Sequence, residues 1–181
     1  MLWLLGVAMA GELQIASLWN GEPVGTDETV VVRLSGDEEH LVLEIDAPYH
    51  GDPAPPGPPG PLWRLWNYEV VEVFIAGLGH PVPYLEIELG PHGHHLAIQL
   101  HGERNVVHSG LPLSYQAKIE GDRWTATAWV PRAYLPLPPH RINAYAIHGQ
   151  GEGRRYLAWS PTLGDKPDFH RLHVFRSISL P

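Results

Sequence analysis

A chain of 181 residues suits one compact domain, and at that size a fold buries roughly 70% of its unfolded surface without staples. Lys plus Arg number 12 and Asp plus Glu 20, a formal charge of −8, which repels phosphate and argues against nucleic acid or an anionic membrane as a partner. Cysteine is absent while Gly and Pro number 19 each; disulfide frameworks, zinc–thiolate sites, iron–sulfur clusters and thiol nucleophiles are excluded, and helix breakers are dense.

Residues 2–10 form an apolar run ending in Ala8-Met9-Ala10. It reads either as a signal-like segment or as a first strand, and it has no positive n-region. Export and cytoplasmic residence both stay open. Residues 1–13 are set apart as an amino-terminal extension and 14–181 as a single domain. No apolar run approaches the ~18 residues of a membrane span.

Alternation of period two then marks strand after strand. Residues 29–34, 40–46 and 68–75 come first. Residues 84–89 send Leu85, Ile87 and Leu89 one way and Tyr84, Glu86 and Glu88 the other. Residues 95–101 follow, with Leu96, Ile98 and Leu100 expected to face the core. Residues 113–119, 123–130, 142–148, 155–159 and 172–178 complete the set. Turn signals such as Pro91-His92-Gly93 and Glu120-Gly121-Asp122 separate them. Only residues 131–135, opened by Pro131, suit a short helical turn. Six prolines within 53–61 read as an extended surface loop closing a sheet edge. Many short strands with regular turns imply an all-β sandwich or barrel.

Candidate chemistry lies on these strands. Glu72 shares a strand face with Tyr68, Val70 and Phe74, so it is either paired structurally or lines a cleft, because a buried lone carboxylate is costly. Glu86 and Glu88 lie about 7 Å apart along one face. Such carboxylates can accept sugar hydroxyls or run glycoside hydrolysis. Of the 12 His, His92, His94 and His95 sit in one turn, where imidazoles tend to splay, and read as a histidine-rich surface turn rather than a metal centre. His148 and His170 each stand where a strand meets a loop beside aromatics. Trp and Tyr can stack on a sugar ring, and Trp66 and Trp159 are the first choices for such platforms. The nucleophile-elbow, P-loop, dinucleotide-binding and zinc-protease motifs are missing.

The segments Leu65-Trp66-Asn67-Tyr68-Glu69-Val70-Val71-Glu72-Val73-Phe74 and Tyr84-Leu85-Glu86-Ile87-Glu88-Leu89-Gly90-Pro91-His92-Gly93 resemble the core of the family 9 carbohydrate-binding-module-like (DOMON-like) sandwich. Trp159-Ser160-Pro161 and Asp168-Phe169-His170 match the same pattern. More narrowly, Trp19-Asn20-Gly21-Glu22-Pro23-Val24, Arg104-Asn105-Val106, Leu111-Pro112-Leu113-Ser114-Tyr115, Asn143-Ala144-Tyr145-Ala146-Ile147-His148-Gly149 and Lys166-Pro167-Asp168-Phe169-His170 resemble the uncharacterised family typified by the chromosome 4 open reading frame 33 product. The resemblance implies a two-sheet antiparallel β-sandwich. The wider superfamily includes sugar-binding modules, whose aromatics clamp a terminal sugar, and haem-binding cytochrome domains.

The expectation is a non-catalytic module that binds a carbohydrate or other small polyol. Trp66 and Trp159 would stack, and Glu72, Glu86, Glu88, Arg104, Asn143, His148 and His170 would surround the ligand. No catalytic residue, metal or cofactor is assigned, and the oligomeric state is open. The alternatives are a haem-binding electron carrier with His/His ligation, since both methionines are terminal, a small hydrolase using Glu86 or Glu88, and a protein-interaction domain using the proline-rich loop.

Overall fold

The structure, a computed structural model, describes residues 11–181; the signal-like run at 2–10 lies outside them. In chain order the strands are β1 Gly11–Ile15, β2 Ser17–Leu18, β3 Val30–Gly36, β4 His40–Pro48, β5 Gly60–Pro61, β6 Val70–Ala76, β7 Pro83–Leu89, β8 His94–His101, β9 Val106–Ser109, β10 Ser114–Glu120, β11 Arg123–Pro131, β12 His140–His148, β13 Arg155–Ala158 and β14 Arg176–Ile178. They build two sheets. One has five strands in the order β1-β3-β4-β11-β10; the other has nine, running β2-β13-β12-β6-β7-β8-β5, with β14 also on β12 and β9 on β8. Every pairing is antiparallel except the short β5–β8 edge contact.

The expected strands form within a residue or two of their predicted limits, apart from the last. Residues 172–178 split into a 3-10 turn at Leu172–Val174 and β14. Strand β1 begins before the expected domain start at residue 14, pairing Gly11 with Leu34 and burying Leu13. Residues 131–135 give the short turn Arg132–Tyr134 behind Pro131. The proline-rich loop ends in β5, at a sheet edge, where a missing N–H breaks no central ladder.

Alternation places one apolar row of each strand between the sheets. Val32 and Leu34 of β3, Leu43 and Ile45 of β4, and Trp124 of β11 meet Val73 and Ile75 of β6, Leu85 and Ile87 of β7, and Leu157 of β13. The other face of the five-stranded sheet carries Arg33, Glu44, Asp46, Lys118 and Thr127, as a hydrated face should. The outer face of the nine-stranded sheet is different: it holds a second apolar cluster, including Phe74, Tyr84, Leu96, Ile98, Leu100 and Tyr145. Leu96, Ile98 and Leu100 therefore face outward rather than into the inter-sheet core, because returning loops cover that face.

Candidate functional site

The covered outer face is where the site forms. Glu72 of β6 stands directly opposite Glu88 of β7, Glu86 stands opposite Phe74, and Tyr145 of β12 flanks Glu72 on the other side. Of these side chains Glu72 and Glu86, with Ile98 and Leu100 from β8, make the floor of a cleft of about 420 Å³. Two segments wall it. On one side the 3-10 turn Leu65–Asn67 buries Leu65 and lifts Trp63 and Trp66 to the rim, their rings meeting edge to face at 5.1 Å. Between them Arg64 takes a left-handed conformation, φ 67°, and Arg154 pins the turn by donating to the Trp66 carbonyl at 2.6 Å.

The opposite wall is the carboxyl-terminal segment after β13. Phe169 stacks on Tyr145 at 3.9 Å and Phe175 meets the edge of Phe74 at 6.0 Å. Arg141 donates to the Leu172 carbonyl at 2.9 Å, and Ser160 Oγ donates to the Val174 carbonyl at 2.8 Å. These ties hold Asp168 and His170 over the floor. At the far end the β8–β9 turn sets Arg104 in a left-handed conformation, φ 57°. Its amide donates to the Tyr84 hydroxyl at 3.0 Å and its guanidinium binds Asp168 at 2.6 Å. The Tyr84 hydroxyl, already accepting from that amide, also shares a hydrogen bond of 2.7 Å with His170 Nδ1. With Nδ1 so engaged, Nε2 is the ring nitrogen of His170 left for a ligand.

The electrostatics are unusual. Glu72, Glu86 and Glu88 are all buried, Glu88 completely, and no Lys, Arg or His among the described residues pairs with any of them. One oxygen of Glu72 and both of Glu88 have no hydrogen-bond partner; the Trp66 amide comes toward Glu88 without reaching bonding geometry. Burial pushes Glu72 and Glu88 well above the usual carboxylate range, and repulsion from neighbouring carboxylates adds to it. Burial also raises Glu86 to about 7, against the opposing pull of the Glu88 carboxyl and the Arg104 guanidinium. Burial and then the nearby Arg104 charge lower His170 to about 4, so it is neutral at physiological pH.

Four curated relatives span nearly the whole chain. The UPF0462 protein C4orf33 homologue of Mus musculus is 43% identical over 176 residues, covering 93% of this chain and 91% of its own length. Its counterparts in Danio rerio and Homo sapiens are each 40% identical, again over 93% of this chain and over 89% and 87% of theirs. The chain belongs to the UPF0462 (C4orf33) family. No family model matches it. Among solved structures, a Bacteroides uniformis protein presumed to bind carbohydrate aligns with TM-score 0.72 at 16% identity, over 97% of this chain and 87% of that one. A family 9 carbohydrate-binding module of Caldicellulosiruptor kristjanssonii, in complex with glucose, aligns with TM-score 0.60 at 11% identity, over 97% and 84%. At such identities the likeness is one of fold, and it agrees with the sandwich described above.

In this family member the residues singled out from the sequence divide into two groups. Trp66, Glu72, Glu86, Arg104 and His170 line the cleft, and Glu88 lies beneath it beside Glu72. Asn143, Trp159 and His148 do not reach it. Asn143 is sealed under the same face: its Nδ2 donates to the Tyr145 hydroxyl and the Ser160 carbonyl, and its Oδ1 accepts from the Ser160 and Ala144 amides. It joins β12 to the crossover after β13 and has nothing left for a ligand. Trp159 packs against the inter-sheet core with the Arg176 guanidinium 4.9 Å from its ring centre. His148 projects from the opposite face of β12. Its Nε2 meets Glu28 at 2.9 Å, its ring stacks on His50 at 3.5 Å, and Glu28 is clasped by Arg155. That cluster ties the base of the proline-rich loop to the sandwich.

The histidines of the turn point apart, but His94 and His95 are buried rather than on the surface, because the turn leads directly into β8 under the covered face. His92 lies 3.4 Å from the Tyr49 hydroxyl, His94 turns to the outer face with both ring nitrogens unpartnered, and His95 meets the edge of Tyr115. Among the described residues no group of three or more His, Asp or Glu is arranged to hold a metal ion, and no helix is long and apolar enough to cross a membrane. The cleft residues not singled out from the sequence include Trp63, Val106, Tyr156 and Asp168. Asp168 lies inside a segment, Lys166-Pro167-Asp168-Phe169-His170, that carried the family resemblance, and Trp63 sits three positions before Trp66; either signal was available.

Proposed function

We propose that the outer-face cleft is a non-catalytic recognition site for a carbohydrate or other small polyol. The observation that carries this reading is the composition of one cavity: two Trp rings at its rim and two buried carboxyl groups, Glu72 and Glu86, in its floor, with Glu88 packed beneath and one Glu72 oxygen lacking any protein partner. A buried polar oxygen without a partner costs about 1–3 kcal/mol, and an incoming hydroxyl relieves that cost. A pyranose has an apolar face for an indole and a ring of hydroxyls for the carboxyls, His170 Nε2 and the Arg104–Asp168 pair. The fold likeness to a module solved with glucose bound supports the same class of ligand. Hydrolysis by the carboxyl pair is less well supported. Acid–base work needs two carboxyls driven apart in pKa, whereas burial raises Glu72, Glu86 and Glu88 together.

The test is a glycan array with the native chain and the Trp63→Ala variant. Trp63 is 51% exposed, so its removal leaves the fold in place. The reading expects binding of one or a few glycans by the native chain and its loss in the variant. Equal binding by both, or none by the native chain, would contradict it.

A further inference from the structure

The charge balance of the cleft narrows the ligand class. Glu72, Glu86 and Glu88 bring three acidic groups to one buried patch, and the cations nearby are all engaged elsewhere. Arg104 is bound to Asp168 at 2.6 Å. Arg154 donates to the Gly149 and Trp66 carbonyls at 3.0 and 2.6 Å and lies over the Tyr156 ring. His170 is hydrogen-bonded to the Tyr84 hydroxyl and stays neutral. The remaining titratable neighbours are Tyr84 on β7, Tyr145 on β12 and, two residues from Leu96 along the same face of β8, the buried His94; none of them is paired with the carboxyls of the floor. No cation of the protein pairs with this floor, so a ligand that brings one lets these carboxyls ionise. The rim suits one, since Trp63 and Trp66, set edge to face, place two indoles beside the cleft, and an indole is the best side-chain partner for a cation.

We infer that the preferred occupant is a cationic polyol, an amino sugar or ring-nitrogen sugar analogue, whose ammonium group donates to Glu72 and Glu86 above Glu88 while its ring stacks on Trp63 and Trp66; this rests on the polyol reading above. A neutral sugar satisfies unpartnered oxygens only as hydroxyl to carboxyl. An ammonium makes charge-assisted bonds to the same oxygens, which are roughly twice as strong. Burial favours the protonated form of these carboxyls in the free cleft, Glu86 with a value of about 7, so entry of the cation displaces protons into solvent.

The experiment is titration calorimetry of the full chain at neutral pH with glucosamine and deoxynojirimycin, against glucose and N-acetylglucosamine, in two buffers of different ionisation enthalpy. The inference expects at least one amine to bind about tenfold or more tighter than the neutral sugars, with proton release on binding. It also expects that advantage to shrink in Glu72→Gln and Glu86→Gln, whose folding is checked by thermal melts. Neutral sugars binding as well as the amines would overturn the inference and leave the polyol reading standing. Failure of every sugar and amine to bind a folded chain would overturn both.

Discussion

Replacing Glu86 by Gln gives the clearest view of what the buried acids cost. The substitution keeps the side chain's shape and removes its titration. In the native fold burial holds this carboxyl at about 7, against an ordinary value of 4.5. Because the folded value is the higher one, the folded chain binds the proton more tightly. The resulting stability is complete below 4.5 and is lost as the pH climbs through about 7. A displacement from 4.5 to about 7 corresponds to roughly 3 kcal/mol once the pH exceeds both values. The glutamine variant loses none of this. Its stability relative to the native chain should therefore improve by roughly 3 kcal/mol between about pH 4 and about pH 8. In a domain of this size that is about 6–12 °C in relative melting temperature. Titrations remote from the patch cancel in the comparison, and relief of the Glu86 contribution that raises Glu72 and Glu88 acts in the same direction as the loss of Glu86 itself. Urea unfolding of the two proteins across that range is the assay. A constant difference at every pH would refute the placement of Glu86 in a buried, uncompensated patch.

Other expectations follow from the same geometry. His170 is held at about 4 rather than 6.5, so the unfolded chain binds its proton more readily; stability should fall by roughly 3 kcal/mol as pH drops from 6.5 through about 4, and His170→Gln should flatten that slope in urea titrations. Asn143→Ala orphans the Ser160 and Ala144 amides, the Ser160 carbonyl and the Tyr145 hydroxyl and should cost about 3 kcal/mol or more; a loss under about 1 kcal/mol would show that this junction is not what holds β12 to the crossover. Trp63→Ala should change stability by less than about 1 kcal/mol yet weaken ligand binding at least about fivefold. Trp159→Ala should do the opposite, lowering the melting temperature while leaving affinity for the cleft ligand unchanged, since its ring packs on the inter-sheet core.

Alternation made much of the architecture legible. The rows Leu85, Ile87, Leu89 and Tyr84, Glu86, Glu88 lie on opposite faces as their parity requires. The same parity could have sorted His148 and Trp159. Asn143, Tyr145 and Ile147 share one face of β12 and His148 must point from the other; Tyr156 and Ala158 share one face of β13 and its immediate continuation Trp159 takes the other. Choosing His148 for its place where a strand meets a loop and Trp159 for its indole, instead of sorting both by face, set them among the expected ligand contacts. What the strand pattern could not reveal is that the outer face of the larger sheet is roofed. That depends on long-range returns, Phe169 onto Tyr145 and Phe175 onto Phe74, which follow no local period. For the same reason Glu86 and Glu88, legible as a pair on one face, gave no sign that they would be buried rather than solvated. Nor could the sequence show that Glu72 stands across from Glu88, because cross-strand register is a property of the assembled sheet.

The central claim is that ligand recognition occurs between the Trp63–Trp66 rim and the carboxyl floor. It is tested most directly by following the indole N–H resonances of the seven Trp residues as the tightest-binding sugar or amine is titrated into the labelled chain, each resonance assigned by substitution. The account predicts that the Trp63 and Trp66 signals move and saturate together while those of Trp124 and Trp159 stay in place. Saturable movement of Trp159, with Trp63 and Trp66 unmoved, would contradict it.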